Sequence, residues 1–145
     1  MISAIKVLNV FSTLLFAAIL LLVYAYLPVS VDLNIDGVSP VHKQTFFYQV
    51  LVLFVALNIL LRVTLNLGLR RQTGLLKSWA TGLIFIVNFY FTLLVGFVGV
   101  WNNATHISPE GYGYLNYIGP ALILVWLCGL FFFAFKSNAG KVTSV

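Results

Sequence analysis

Four long apolar runs, each free of charge through its middle, leave this chain few ways to fold. The first, residues 7–27 (VLNVFSTLLFAAILLLVYAYL), carries no charge over about 21 residues, and at about 1.5 Å per residue a helix of that length crosses a hydrocarbon core roughly 30 Å thick. Residues 46–67, 79–101 and 117–135 repeat the pattern. In hydrocarbon each backbone N–H and C=O must be satisfied within its own segment, which a helix achieves. The runs therefore predict an all-α membrane protein with four transmembrane helices in one domain, 1–145, arranged as two antiparallel hairpins. Composition supports this class, with 61% hydrophobic and only 8% charged residues against about 25% charged in a soluble domain. The first run is too long for the core of a typical signal peptide, and no A-x-A site follows it, so a retained signal-anchor helix is expected. The tail, 136–145, lacks apolar periodicity and is expected to be flexible.

Charge orients the runs. Residues 62–77 (RVTLNLGLRRQTGLLK) hold Arg62, Arg70, Arg71 and Lys77, half of the eight basic residues, and no acid. With both termini cytoplasmic, the inner side collects these four with Lys6, Lys136 and Lys141, and the outer side only Lys43. Asp32, Asp36 and Glu110 then all fall outside, as the positive-inside rule favours. The net charge of +5 is thus a topology signal rather than a nucleic-acid footprint. Arg62, whose long stem can reach the headgroups from the end of a span, is expected to anchor the inner joint to lipid with Arg70, Arg71 and Lys77. Trp79 and Trp101, at the two ends of the third run, match interfacial aromatic belts.

The chemistry within the spans is sparse. No Asp, Glu, Lys or His lies at the middle of a run, where an ion-coupled transporter usually keeps one, so a small transporter is the least favoured class. No haem ligand is placed within a span, Cys128 has no partner cysteine, and no phosphate-binding or nucleophile motif occurs. A non-enzyme without cofactor or metal is expected. Asn88, Thr92, Gly96 and Gly99 recur at helical spacing and so share one face of the third span, a pattern suited to close helix packing. Asn58 and Asn88 lie at matching depths, roughly 18–20 Å below the outer surface, and are expected to meet across an antiparallel hairpin. Trp126, away from either belt, is expected to pack within the bundle or against another membrane protein. That ring and the small-residue face are the expected contact surfaces for a partner.

The connections are polar. Residues 28–44 alternate over Val29, Val31, Leu33 and Ile35, which permits a short extended segment before the Asp36-Gly37 turn signal. Asp32, Asp36, His42, His106 and Glu110 share the outer side without metal-ligand spacing, and read as a solvated face. Asn103-Ala104-Thr105 is a formal glycosylation sequon.

Leu27-Pro28, Val31, Leu33-Asn34, Gly37 and Lys43 before Phe46-Phe47 resemble the loop that follows the first helix in SdpI-like bacterial membrane proteins. Asp32 stands here in place of that pattern's second proline, and Asn34 in place of its histidine. The resemblance covers about 25 residues and implies a sensor or immunity protein that binds a peptide at its outer loops. The residues themselves point first to a non-catalytic accessory or scaffold subunit of a bacterial inner-membrane complex. Its expected partners are membrane lipids and either another membrane subunit or further copies of the chain, with no nucleic acid.

Overall fold

In a computed structural model the protein is described over residues 2–33, 35, 37–70, 74–103, 111 and 113–142, of which 2, 3, 75, 116 and 136–142 by backbone alone. Four helices account for most of it: α1 (Ile2–Tyr26), α2 (Lys43–Gly68), α3 (Leu75–Trp101) and α4 (Leu115–Val142). Each contains a stretch long and apolar enough to cross a membrane. The chain is a multi-pass membrane protein built from helices. α4 extends to Val142, so most of the expected tail continues the helix instead.

Local chemistry sets the helix ends. The Leu27 N–H still reaches Val23 O at 2.9 Å, and Pro28, which has no N–H to give, stops the ladder there. The connection to α2 folds back as an antiparallel ribbon of β1 (Ser30–Val31) and β2 (Val41–His42), pairing Ser30 with His42 and Val31 with Val41. His42 caps α2 by accepting the Gln44 N–H on Nδ1. Gly74 opens α3 at φ 74°, a left-handed conformation that a side chain would strain.

α3 is the centre of the bundle. Each described side chain from Leu76 to Trp101 is at least partly buried, Lys77 excepted. α1 packs mainly on α3 rather than on α2, its neighbour in sequence. Contacts between α1 and α3 advance together along both helices, from Asn9–Thr81 through Ser12–Asn88 to Val23–Gly99. Those of α2 with α3 run in opposite senses, Asn58 meeting Asn88 and Phe54 meeting Phe91. α4 packs chiefly on α3, again in the opposite sense, with Trp126 on Trp79 and Gly119 against Tyr90.

The core is layered along the axis. Phe16, Phe54 and Phe91, one ring from each of α1, α2 and α3, form an aromatic layer in which Phe16 and Phe54 stack at 3.6 Å between centroids. Above it, Leu20, Val23, Leu27, Val95, Phe46 and the fully buried Val31 continue to the β ribbon. Below it lies a polar layer.

The α3–α4 seam is made by two indoles and two glycines. Trp79 and Trp126 stack with ring centroids 4.1 Å apart and planes within 5°. Trp126 lies over Gly82 of α3, and Trp79 over Gly129 of α4. A Cβ at Gly82 would lie 2.6 Å from Trp126 Cη2, so only glycine admits the ring at this separation. Gly96, by contrast, has nothing within 4 Å of where its Cβ would be. Gly82→Leu should therefore destabilise the bundle by about 1–3 kcal/mol through overpacking. Gly96→Ala should stay within about 0.5 kcal/mol of the parent. Reversible unfolding in detergent micelles measures both.

Candidate functional site: a buried amide and hydroxyl layer

The polar layer holds the one concentration of hydrogen-bonding chemistry that the described residues place inside the spans. Asn88, fully buried at 0% exposure, is its hub. Its Oδ1 accepts from Asn58 Nδ2 of α2 at 2.8 Å, and its Nδ2 donates to Ser12 Oγ of α1 at 3.2 Å and, at 3.5 Å, to Thr13 Oγ1. One side chain on α3 thus ties α1 and α2 together.

The donor count closes. The two hydrogens of Asn58 Nδ2 go to Asn88 and to Phe54 O, the latter at 3.0 Å. Ser12 and Thr13, which accept from Asn88, each donate their own proton to Asn9 O, at 3.0 and 2.9 Å. Thr92 turns its hydroxyl back to Asn88 O at 2.8 Å, as hydroxyls in apolar helices commonly do. Asn9, one turn nearer the start of α1, donates Nδ2 to Thr81 O at 3.3 Å and makes a second bridge to α3. Two acceptors, Asn9 Oδ1 and Asn58 Oδ1, are buried without a donor among the described residues. Built from amides and hydroxyls, the layer has nothing to ionise and so neither stores nor releases a proton.

The helical face read from the sequence splits into distinct roles. Asn88 and Thr92 belong to the polar layer, and Gly99 receives Val23 of α1 with 2.9 Å between the position of its Cβ and Val23 Cγ2. Gly96 lines an open groove beside them with Ile19, Val23 and Tyr26. This face is therefore turned largely to α1 within the chain. Trp126 is likewise engaged internally, stacked on Trp79. Val23 of α1 fills the space at Gly99, and Trp126 fills the space at Gly82.

Trp79, expected in the headgroup belt, lies against α4 and donates Nε1 to Trp126 O at 3.0 Å. Its N–H is engaged by a backbone carbonyl and is no longer available to a lipid. Trp101 is half-buried, its ring 6.2 Å from that of Phe97. Arg62, Arg70 and Lys77 have exposed side chains at the end of the bundle where α2 finishes and α3 begins, and Arg71 lies outside the described residues. Cys128 is exposed on α4. No group of three or more potential metal ligands comes together among the described residues, of which Asp36, His106 and Glu110 are not part.

Sequence reasoning overlooked Asn102. From the end of α3 its amide donates to Asp32 O at 2.7 Å and accepts the Asp32 N–H at 2.8 Å, reproducing a ladder pair and pinning the ribbon connection to α3. It also donates to Val98 O at 2.9 Å. Its position right after an apolar run was the available signal, since amides favour helix ends. Asn9, Ser12 and Thr13 were missed as well. In a 21-residue apolar run their spacing of three and four was visible but pointed to no particular partner.

No protein-family model matches the chain, and searches of curated proteins and solved structures return no significant match.

Asn88→Leu removes the acceptor of Asn58 and the donor to Ser12 in one step. With interhelical hydrogen bonds in membranes worth about 0.6–2 kcal/mol each, a loss of about 1–3 kcal/mol is expected. Asn58→Leu should cost less, and Asn58→Leu/Asn88→Leu less than the sum of the singles because the two amides share a bond. A double-mutant cycle on unfolding free energy in micelles reads the coupling.

Proposed function

We propose that this protein is a non-catalytic integral membrane subunit that acts as a scaffold within a bacterial inner-membrane complex. In the proposed topology its helices form two antiparallel hairpins with both termini cytoplasmic. The observation that carries the reading is how little of α4 the bundle itself buries. Only 6% of the most apolar window of α4 is buried, against 11% for α2, 22% for α3 and 28% for α1. Leu124, Val125, Phe131, Phe132 and Phe135 leave a broad apolar surface on α4. The polar groups within the bundle serve to join its own helices, and the α4 surface is where we place the contact with another transmembrane segment. Rigid aromatics favour such a role, because packing between helices in lipid depends on fit rather than on water exclusion. Membrane lipids cover the surface wherever the partner, a different subunit or a second copy, does not.

A second reading is a sensor or immunity protein of the SdpI-like kind that takes a peptide at its outer loops. It is favoured by the ribbon of β1 and β2 and by the Asn102 latch, which tie Ser30, Val31 and Asp32 to Val41, His42 and the end of α3.

Co-purification in mild detergent followed by mass spectrometry separates the two. A scaffold subunit should carry one partner in fixed ratio, and Phe132→Ala/Phe135→Ala on α4 should reduce that partner several-fold while the protein remains folded. Recovery of the protein alone, with activity lost only when residues 29–41 are replaced, would favour the sensor. Topology is tested in the same cells: reporters fused to either terminus should both read cytoplasmic, and a periplasmic signal from either end would refute the orientation.

A further inference from the structure

At the end of the bundle where α1 begins, α2 finishes and α3 begins, a cleft of about 380 Å³ opens between the three helices. Lys6, Arg62, Asn9, Asn66 and Thr81 line it, over an apolar wall that includes Leu65 and Ile84. Two cations share this cleft, and none of the four helices carries an acid to neutralise them. The three acids of the chain fall in sequence between α1 and α2 or between α3 and α4. The cleft floor has a second distinctive feature. Asn9 is more than nine-tenths buried, its amide nitrogen is committed to Thr81 O, and its Oδ1 has no donor among the described residues.

The geometry points to a site for the headgroup of an anionic phospholipid, with the phosphodiester held between Lys6 and Arg62 beside the polar side chains of Asn9, Asn66 and Thr81. Three features favour a lipid over a soluble anion. The site lies toward the ends of three helices long and apolar enough to span a membrane. It is apolar on one side, as acyl chains require. It combines cations with the side-chain amides of Asn9 and Asn66, which suits a phosphate ester bearing hydroxyls better than a bare anion. Basic pockets between transmembrane helices recognise lipid headgroups by this combination of charge and hydrogen bonding. The inference rests on the membrane placement of the helices and not on the scaffold reading, so either can fail alone.

The test uses full-length protein, stripped of lipid in a neutral detergent and titrated with short-chain phosphatidylglycerol, with short-chain phosphatidylcholine and with inorganic phosphate, each followed by native mass spectrometry. Phosphatidylglycerol should bind more tightly than phosphatidylcholine, and inorganic phosphate should not displace it. Taking about 1 kcal/mol per basic residue, Lys6→Gln should weaken phosphatidylglycerol binding about fivefold and Lys6→Gln/Arg62→Gln about 30-fold. Lys6→Arg/Arg62→Lys, which preserves the charge, should keep binding and shows that the cleft tolerates substitution. Arg70→Gln/Arg71→Gln removes the same charge from the α2–α3 connection and should leave affinity unchanged. Equal losses from the two glutamine double variants would mean a diffuse attraction and overturn the site. Absence of a preference for phosphatidylglycerol would do so too, and displacement by inorganic phosphate would reassign the cleft to a soluble anion.

Discussion

Everything about the packing of α1, α2 and α3 depends on the carboxamide of Asn88. A side-chain amide taken into an apolar interior without partners costs several kcal/mol, so its position is tolerable only if its neighbours satisfy it. Asn58 and Ser12 do so from two different helices. This requirement sets both the rotation of each helix about its axis and its height relative to α3, because a shift of one residue would break the bonds. The aromatic layer follows from the same register: Phe54 lies one turn from Asn58, Phe16 one turn from Ser12, and the two rings meet. Hydrocarbon surroundings give no hydrophobic preference for one face over another, so directional bonds and shape carry the specificity.

The attachment of α4 follows a different principle. Here the two helices trade an indole for a glycine in both directions, Trp126 over Gly82 and Trp79 over Gly129, and the stacked rings fill the gap that the missing side chains leave. The contact is almost all shape, with one hydrogen bond from Trp79 Nε1 to Trp126 O to hold the pair in register. One helix is thus locked by polar pairing and another by complementary volume, both on the same central element. α4 remains apolar over most of its outer surface, which is why the proposed partner contact is placed there.

The ends of the bundle differ in chemistry as much as its layers do. One end is closed by the ribbon of β1 and β2 and by the Asn102 latch, where a side-chain amide pairs with the backbone of Asp32 as a strand would. The other leaves Lys6 and Arg62 around an open cleft. Tight closure on one side and an open, basic recess on the other suit a protein that is held in a membrane with a definite orientation.

Composition and the length of the apolar runs were enough to determine the helical membrane class, the number of long helices and their approximate limits, because the hydrocarbon thickness and the need to satisfy the backbone admit little else. The matching depths of Asn58 and Asn88 were also legible, since rise per residue converts sequence position directly into depth. Which helix lies at the centre was not. All four are similarly apolar, and in a lipid solvent a buried face and a lipid-facing one carry the same residues, so the usual amphipathic signal is absent. Tertiary structure alone decided that α3 is central, that its small-residue face receives α1, that Trp79 stacks on Trp126 of α4, and that Ser12 completes the amide pair. Those outcomes depend on how side-chain volumes and bond directions from separate helices fit together, which no single run of sequence contains.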